Sequence, residues 1–219
     1  MSKANIYNED YFENGTVCGI SGYFNYHWMP EMTLRMVHHM IQTLAILESD
    51  IVLDFGCAKG YIVKAFRIMD IQTFGVDISE YAINHADGEV KQYCTLLNGV
   101  DDNKLFIRNY DWMIAKDVFE HIEIFDLQHI LNQAAKKVKN IFAVIPLAED
   151  DLSNKYIIPD YHNDITHIVA KSKDWWIKLF NNSSYELSAY TSKFIGCKEN
   201  WTKKFPNGNG FFILKSKIL

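Results

Sequence analysis

Proline is scarce in this sequence, with four in 219 residues, and no Pro-rich, Gly/Ser-rich or single-charge stretch marks a linker. No internal repeat is visible, which argues against a solenoid or an array. Cysteine is equally sparse: Cys18, Cys57, Cys94 and Cys197 stand far apart with no C-x-x-C pair. That spacing argues against a zinc knuckle and reads as the reduced thiols of a cytosolic protein. No apolar run approaches the ~20 residues of a membrane helix. The start, Met1-Ser2-Lys3-Ala4-Asn5, lacks the apolar core of a secretion signal. A basic surplus is missing too, since 22 Lys and Arg face 27 Asp and Glu. A net charge of -5 disfavours a nucleic-acid partner, because each phosphate contact needs a cation or a well-placed amide. Lys193, Lys198, Lys203, Lys204, Lys215 and Lys217 gather near the C-terminus, interrupted by Glu199, and read as a solvated face.

What is present is ordinary globular material: 48% hydrophobic and 22% charged residues, with aromatics at 14%. The length suits one domain with a full core. It divides into a cover and helix over 1–48, a ligand-binding core over 49–146 and a closing segment over 147–219. Residues 1–30 are aromatic and aperiodic, an irregular cover. Apolar residues from Leu34 to Leu47 recur at helical spacing behind Pro30. Ile51-Val52-Leu53 is a short buried strand, followed by a helix over 61–69 and a strand over 73–76 that ends at Asp77. Ser79 suits the cap of a helix over 80–86. A weak strand follows over 93–97, a fourth over 111–115, a helix over 125–139 and a fifth strand over 141–145 stopped by Pro146. Strands alternating with helices predict an α/β fold with a mostly parallel, doubly wound sheet. A helix over 173–180 precedes two strand-like runs, 186–195 and 210–215, which predict an antiparallel pair at the sheet edge.

The densest signal is the loop Asp54-Phe55-Gly56-Cys57-Ala58-Lys59-Gly60 between the first strand and its helix. Free amides at such a turn point at a ligand, and glycine lets the backbone come close. Asp77 ends the next strand, twenty-one positions after Gly56. A carboxylate there suits the two hydroxyls of an adenosine ribose. A dinucleotide fingerprint wants glycine where Ala58 stands, and Asp54 would repel a diphosphate. Asp54 could instead attract the ammonium end of a methionine moiety. A phosphate-binding P-loop wants Lys then Ser or Thr, whereas Tyr61-Ile62 follow Gly60. The bland alternative is a tight strand–helix turn and nothing more.

Val52-Leu53-Asp54-Phe55-Gly56-Cys57-Ala58-Lys59-Gly60 resembles the first motif of class I S-adenosylmethionine-dependent methyltransferases. Phe74-Gly75-Val76-Asp77-Ile78-Ser79 resembles their second, and Asp117-Val118-Phe119-Glu120-His121-Ile122 is similar to the segment after their fourth strand. The resemblance implies a Rossmann-like fold with S-adenosylmethionine as cofactor. It implies Gly56 and Gly60, with Cys57 and Ala58, along the methionine part and Asp54 near its amino group. Asp77 and Ile78 fall at the ribose end, and Asp117 also falls in the donor site. The third motif departs from the pattern, leaving Asn98 or Asp101 for the adenine.

An oxygen or nitrogen acceptor often needs a base. Asp117, Glu120 and His121 follow the fourth strand, where they either face the acceptor or cap the next helix. A second cluster runs Asp160-Tyr161-His162-Asn163-Asp164-Ile165-Thr166-His167-Ile168. Here His167 and Asp164 suit a base oriented by an acid. His162, Asp164 and His167 are also metal-ligand types, although no strong ligand spacing supports a metal, and none is expected. The third reading is a surface loop satisfying itself. Asp164-Ile165-Thr166-His167 resembles the D-x-T-H motif of methyltransferases from bacterial polysaccharide and glycan clusters. That implies a small hydroxylated acceptor such as a sugar, with His167 near its hydroxyl. Tyr7, Tyr11, Phe12, Tyr23, Phe24, Tyr26 and Trp28 either stack on that acceptor, cover the donor or pack on the sheet edge. A protein, quinone or nucleic-acid acceptor, or a non-catalytic donor-binding module, are the alternatives. The N/D-P-P-Y/F run of base aminomethylating enzymes is absent after the fourth strand.

Overall fold

A computed structural model describes residues 3–219; Met1 and Ser2, where the polar start begins, lie outside the described residues. The chain opens with two short helices, α1 (Glu9–Glu13) and α2 (Gly15–Cys18), then α3 (Pro30–Leu44). The core follows as β1 (Ile51–Phe55), α4 (Tyr61–Ile68), β2 (Gln72–Asp77), α5 (Glu80–Asn84), β3 (Cys94–Leu96) and β4 (Tyr110–Lys116). It continues through α6 (Ile124–Ala134), β5 (Val138–Pro146) and α7 (Lys173–Asn182) to β6 (Tyr185–Thr191), α8 (Glu199–Lys204) and β7 (Asn209–Ser216).

The seven strands form one sheet in the order β3-β2-β1-β4-β5-β7-β6. The first five are parallel, while β7 runs antiparallel to β5 and β6, closing the edge as the sequence pattern predicts. Strand alternation divides the core into two layers. Val52, Trp112, Ile114, Phe142 and Val144 pack with α3 and α4 on one face. Leu53, Met113, Ala115, Ile141 and Ala143 pack with α6 and α7 on the other. With both faces covered, the central strands read as apolar runs instead of alternating ones.

Element boundaries depart from the pattern where tertiary contacts decide. The helix expected to reach residue 139 stops at Ala134, because Val138 pairs with Tyr110 and starts β5 early. Helix α3 ends at Leu44, where Ala45 takes a left-handed conformation (φ 52°). The run expected as strand to residue 195 leaves the sheet at Thr191. The chain then packs on α3 through Gly196, where a Cβ would sit 3.0 Å from the Met36 Cα, and enters α8. Ser79 caps α5 as expected, its Oγ accepting the Ala82 N–H at 2.9 Å.

Strand order reverses between β1 and β4, the position where open α/β sheets bind ligands beyond their carboxyl ends. The loop after β1 and the loop after β4 meet there. A Cβ on Gly56 would lie 2.5 Å from the Val118 Cγ2.

Candidate active site

The glycine loop is drawn tight by its neighbours. Gly56 (φ 81°) and Gly60 (φ 78°) adopt left-handed backbone, and Ala58 does so without glycine's freedom (φ 47°). The Gly56 and Cys57 amides both donate to the Val76 carbonyl, at 2.9 and 3.0 Å. Cys57 turns its thiol under Gly75, where a Cβ would come within 2.7 Å of the sulfur, so only its backbone is available to a ligand.

Asp77 stands at the end of β2 with both carboxylate oxygens anchored. Oδ2 accepts the Ala58 N–H at 2.7 Å and Oδ1 the Ser79 N–H at 2.7 Å. Burial pushes its carboxyl up and these amides pull it back. Asp54 is 2% exposed, and its Oδ2 has no hydrogen-bond partner among the described residues. Burial, with the Asp77 carboxylate adding to it, raises the Asp54 carboxyl to about 8, against the pull of Lys116. An unpartnered buried carboxylate beside a second acid fits an incoming ammonium.

A cavity of about 400 Å³ opens over this loop. Gly56, Ala58, Asp77 and Ile78 form its floor, and Leu97, Asn98 and Gly99 line one wall. Of the two adenine-contact candidates, Asn98 faces the cavity. Asp101 turns outward, hydrogen-bonded to His129 at 2.7 Å. The N-terminal segment closes over the site, with Tyr7, Tyr11, Phe12 and Tyr23 lining it. Lys59 pins that cover by donating to Glu13 at 2.5 Å and to the Tyr26 carbonyl at 2.8 Å. Phe24 is exposed, and Trp28 packs against Tyr61 and Lys64 instead.

Asp117, Val118 and His121 form the opposite wall. Both Asp117 oxygens are engaged, one by Lys116 at 2.6 Å and the other by Lys198. Burial alone would raise this carboxyl, but the two ammoniums outweigh it and hold it well below the usual carboxylate range. Lys198, read from sequence as part of a solvated face, is therefore a structural partner. It also donates to the Tyr161 hydroxyl at 2.6 Å. Nothing in its sequence neighbourhood signals this, because the contact spans 81 residues.

Beside that wall, the two sequence clusters converge. Glu120 and His121 sit in a 3-10 turn over Phe119–His121. The Glu120 carbonyl accepts the Ile168 and Val169 amides, at 3.0 and 3.1 Å, which stitches the Asp164–Ile168 loop to this turn. Thr166 donates its hydroxyl proton to Asp164 at 2.5 Å, so its oxygen accepts the His121 Nδ1–H at 2.8 Å. Tyr11 donates to the other Asp164 oxygen at 2.8 Å. His167 donates its Nδ1–H to the Tyr161 carbonyl at 2.8 Å, and its Nε2 lies 3.9 Å from Glu120 and 4.0 Å from Asp164. Asp164 thus orients His121 through Thr166, while a backbone carbonyl orients His167. Burial lowers both imidazoles, with His121 reaching about 4, and it raises the Glu120 carboxyl. His162 stands apart, its Nε2 accepting the Tyr156 N–H at 3.1 Å. Thr166 is a participant that residue-by-residue reading passes over, although it lies within the D-x-T-H motif itself; Tyr11, read from sequence only as an aromatic ring, also acts through its hydroxyl.

Residues 27–191, three quarters of the chain, match the methyltransferase domain family. The chain belongs to that family. It is an S-adenosylmethionine-dependent methyltransferase, and the Asp54 carboxylate and Asp77 anchor suit that cofactor. Its fold is shared with a chain from the complex of the Haloferax volcanii Trm112 methyltransferase activator with a methyltransferase. There the TM-score is 0.63 at 16% identity, covering 86% of this chain and 92% of that one. An S-adenosylmethionine-dependent methyltransferase from Clostridium acetobutylicum gives 0.63 at 11%, covering 83% and 91%. Magnesium protoporphyrin IX methyltransferase from Synechocystis, solved with S-adenosylhomocysteine, gives 0.63 at 12%, covering 97% of each. A search of curated proteins returned no match to the chain. Among the described residues no helix is long and apolar enough to cross a membrane.

Proposed function

We propose that this methyltransferase O-methylates a small hydroxylated acceptor, such as a sugar or glycan precursor. The observation that carries the reading is the polar centre of Glu120, His121 and His167 beside the cavity, braced by Asp164 and Thr166. S-adenosylmethionine supplies an electrophilic methyl group when bound. The chain's own residues hold the partners, exclude water and take up the hydroxyl proton.

Asp77 and Ile78 suit the ribose end, Asn98 the adenine end, and Asp54 with the loop from Gly56 to Gly60 the methionine end. Asp117 contributes by holding Lys116 and Lys198 in place along the adjoining wall. His121 and His167 each have Nδ1–H committed to a donor bond, which leaves Nε2 as a lone pair to receive a proton. The aromatic cover of Tyr7, Tyr11, Phe12 and Tyr23 offers faces on which a sugar ring can stack. On this reading the segments 1–48, 49–146 and 147–219 act as one domain: the first two line the cavity, and the third backs its wall through Thr166 on His121 and Lys198 on Asp117. A radiolabelled-methyl assay across sugars, nucleic acids and proteins tests the acceptor class. Incorporation into a sugar hydroxyl that falls at least tenfold in His121→Ala supports it. Incorporation into nucleic acid or protein alone overturns it.

A further inference from the structure

Glu120 is fully buried, and neither of its carboxylate oxygens has a hydrogen-bond partner among the described residues. A buried carboxyl without a partner is costly, so such a group points to something that completes it. Facing it is the His167 Nε2, at 3.9 Å, beyond hydrogen-bond reach. One oxygen of Glu120 and one ring nitrogen each of His121 and His167 all lie within 4.8 Å of one another.

The hydrogen bonds around these groups fix what they present. His167 spends its proton on the Tyr161 carbonyl and His121 spends its proton on Thr166. Each ring is left with an Nε2 lone pair. The centre therefore gathers two imidazole lone pairs and an unpartnered carboxylate. A single water donates only two hydrogen bonds and would leave an acceptor orphaned. A cation satisfies all three at once. Two ligands on one ion at ~2.1 Å stand about 3–4 Å apart; the Glu120–His167 pair is at 3.9 Å and all three atoms lie within 4.8 Å, so small side-chain shifts would seat an ion. The outer contacts also match what metal-binding histidines show, an Nδ1–H held by a carbonyl and another by a carboxylate-anchored hydroxyl.

We propose that Glu120, His121 and His167 bind one divalent first-row transition cation at the acceptor wall of the cavity. Two imidazoles with one carboxylate select Zn²⁺, Mn²⁺, Fe²⁺ or Co²⁺ over the all-oxygen preferences of Mg²⁺ and Ca²⁺. Three protein ligands leave open positions, and His121 borders the cavity, so an acceptor hydroxyl can reach the ion. With the ion bound, both Nε2 atoms are ligands and no longer take up the proton; the ion would instead lower the pKa of that hydroxyl, whose proton passes to solvent through the open cavity. The set differs from the His162, Asp164 and His167 trio that the sequence offers, since His162 stands apart and the Asp164 oxygens are taken by Tyr11 and Thr166.

The ion's chemical role rests on the hydroxyl-acceptor reading, but its binding does not. The test is titration of chelator-treated protein with Co²⁺, followed by visible d–d absorption. One ion per chain is expected, with affinity falling more than about 100-fold in Glu120→Gln and in His167→Ala. Thr166→Val, which removes only the outer contact, should cost roughly 10–100-fold. Binding of S-adenosylhomocysteine by each variant reports that the fold is intact. Absence of a Co²⁺ spectrum, or one unchanged in a folded Glu120→Gln, overturns the site. Methyl transfer to a sugar hydroxyl undiminished in protein shown by its lost Co²⁺ spectrum to be metal-free would overturn the ion's chemical role while leaving the acceptor reading standing. Co²⁺ bound through these residues without any hydroxyl acceptor upholds the site and removes that reading.

Discussion

Asp54 illustrates how one residue can be unfavourable for the fold and useful for binding. Its carboxyl is held at about 8 by burial and by Asp77, so the native state keeps a proton that the unfolded chain releases. A folded pKa raised above the unfolded value gives stability that is fully present below about 4 and is lost as pH rises through 8. Chemical denaturation should therefore show the protein losing stability from pH 5 to pH 8. Asp54→Asn, which cannot ionise, should flatten that slope. The same variant removes the proposed partner of the donor's ammonium. A charge-assisted hydrogen bond worth about 1.5–3 kcal/mol makes the expected loss of S-adenosylhomocysteine affinity roughly 10–100-fold by calorimetry. Tyr11 belongs to the other wall. Tyr11→Phe keeps the ring and deletes the hydroxyl's bond to Asp164 and its 3.5 Å contact with Thr166, and kcat/KM should fall roughly tenfold with donor affinity unchanged.

At the scale of elements, the β1 and β4 loops lock together through Gly56. Gly56→Ala puts a Cβ 2.5 Å from Val118 at a left-handed φ. Strain of about 1–3 kcal/mol is expected, seen as a lowered thermal midpoint and a weaker response to S-adenosylhomocysteine. Strand identity was legible because local signals coincide: Ile51 and Val52 are β-branched, Leu53 is apolar and a glycine turn follows at Gly56, and Ile141 to Ile145 is apolar throughout. The Ser79 cap was legible for the same reason. The end of α6 was not, since pairing of Val138 with Tyr110 fixes it across the chain. Helix α8 was illegible because its position depends on Gly196 meeting α3 and on Arg35 pairing with Glu199, both remote in sequence. The donor loop lies within 24 consecutive residues, Asp54 to Asp77, and so announces itself. The proposed acceptor wall joins residues 46 apart, from His121 to His167, and sequence supplies the members without their pairing.

Across the whole molecule, the order β3-β2-β1-β4-β5-β7-β6 sets the site. The reversal between β1 and β4 opens the crevice, the loops beyond β1, β2 and β3 shape one side, and the segment beyond β4 shapes the other, backed by the loop beyond β5. The N-terminal segment closes it, tied down through Lys59 to Glu13 and through the Ser79 hydroxyl to the Tyr7 carbonyl at 2.5 Å. Ligand binding should therefore stabilise the entire fold, by about 2.7 kcal/mol at a hundredfold excess over Kd. The most direct test of the donor site is isothermal titration of the protein and of Asp77→Ala with S-adenosylhomocysteine, with NAD as control. The site described here predicts one-to-one binding by the native protein, a loss of at least tenfold in the variant, and no heat with NAD. Equal binding by both proteins, or binding of NAD in place of S-adenosylhomocysteine, would contradict it.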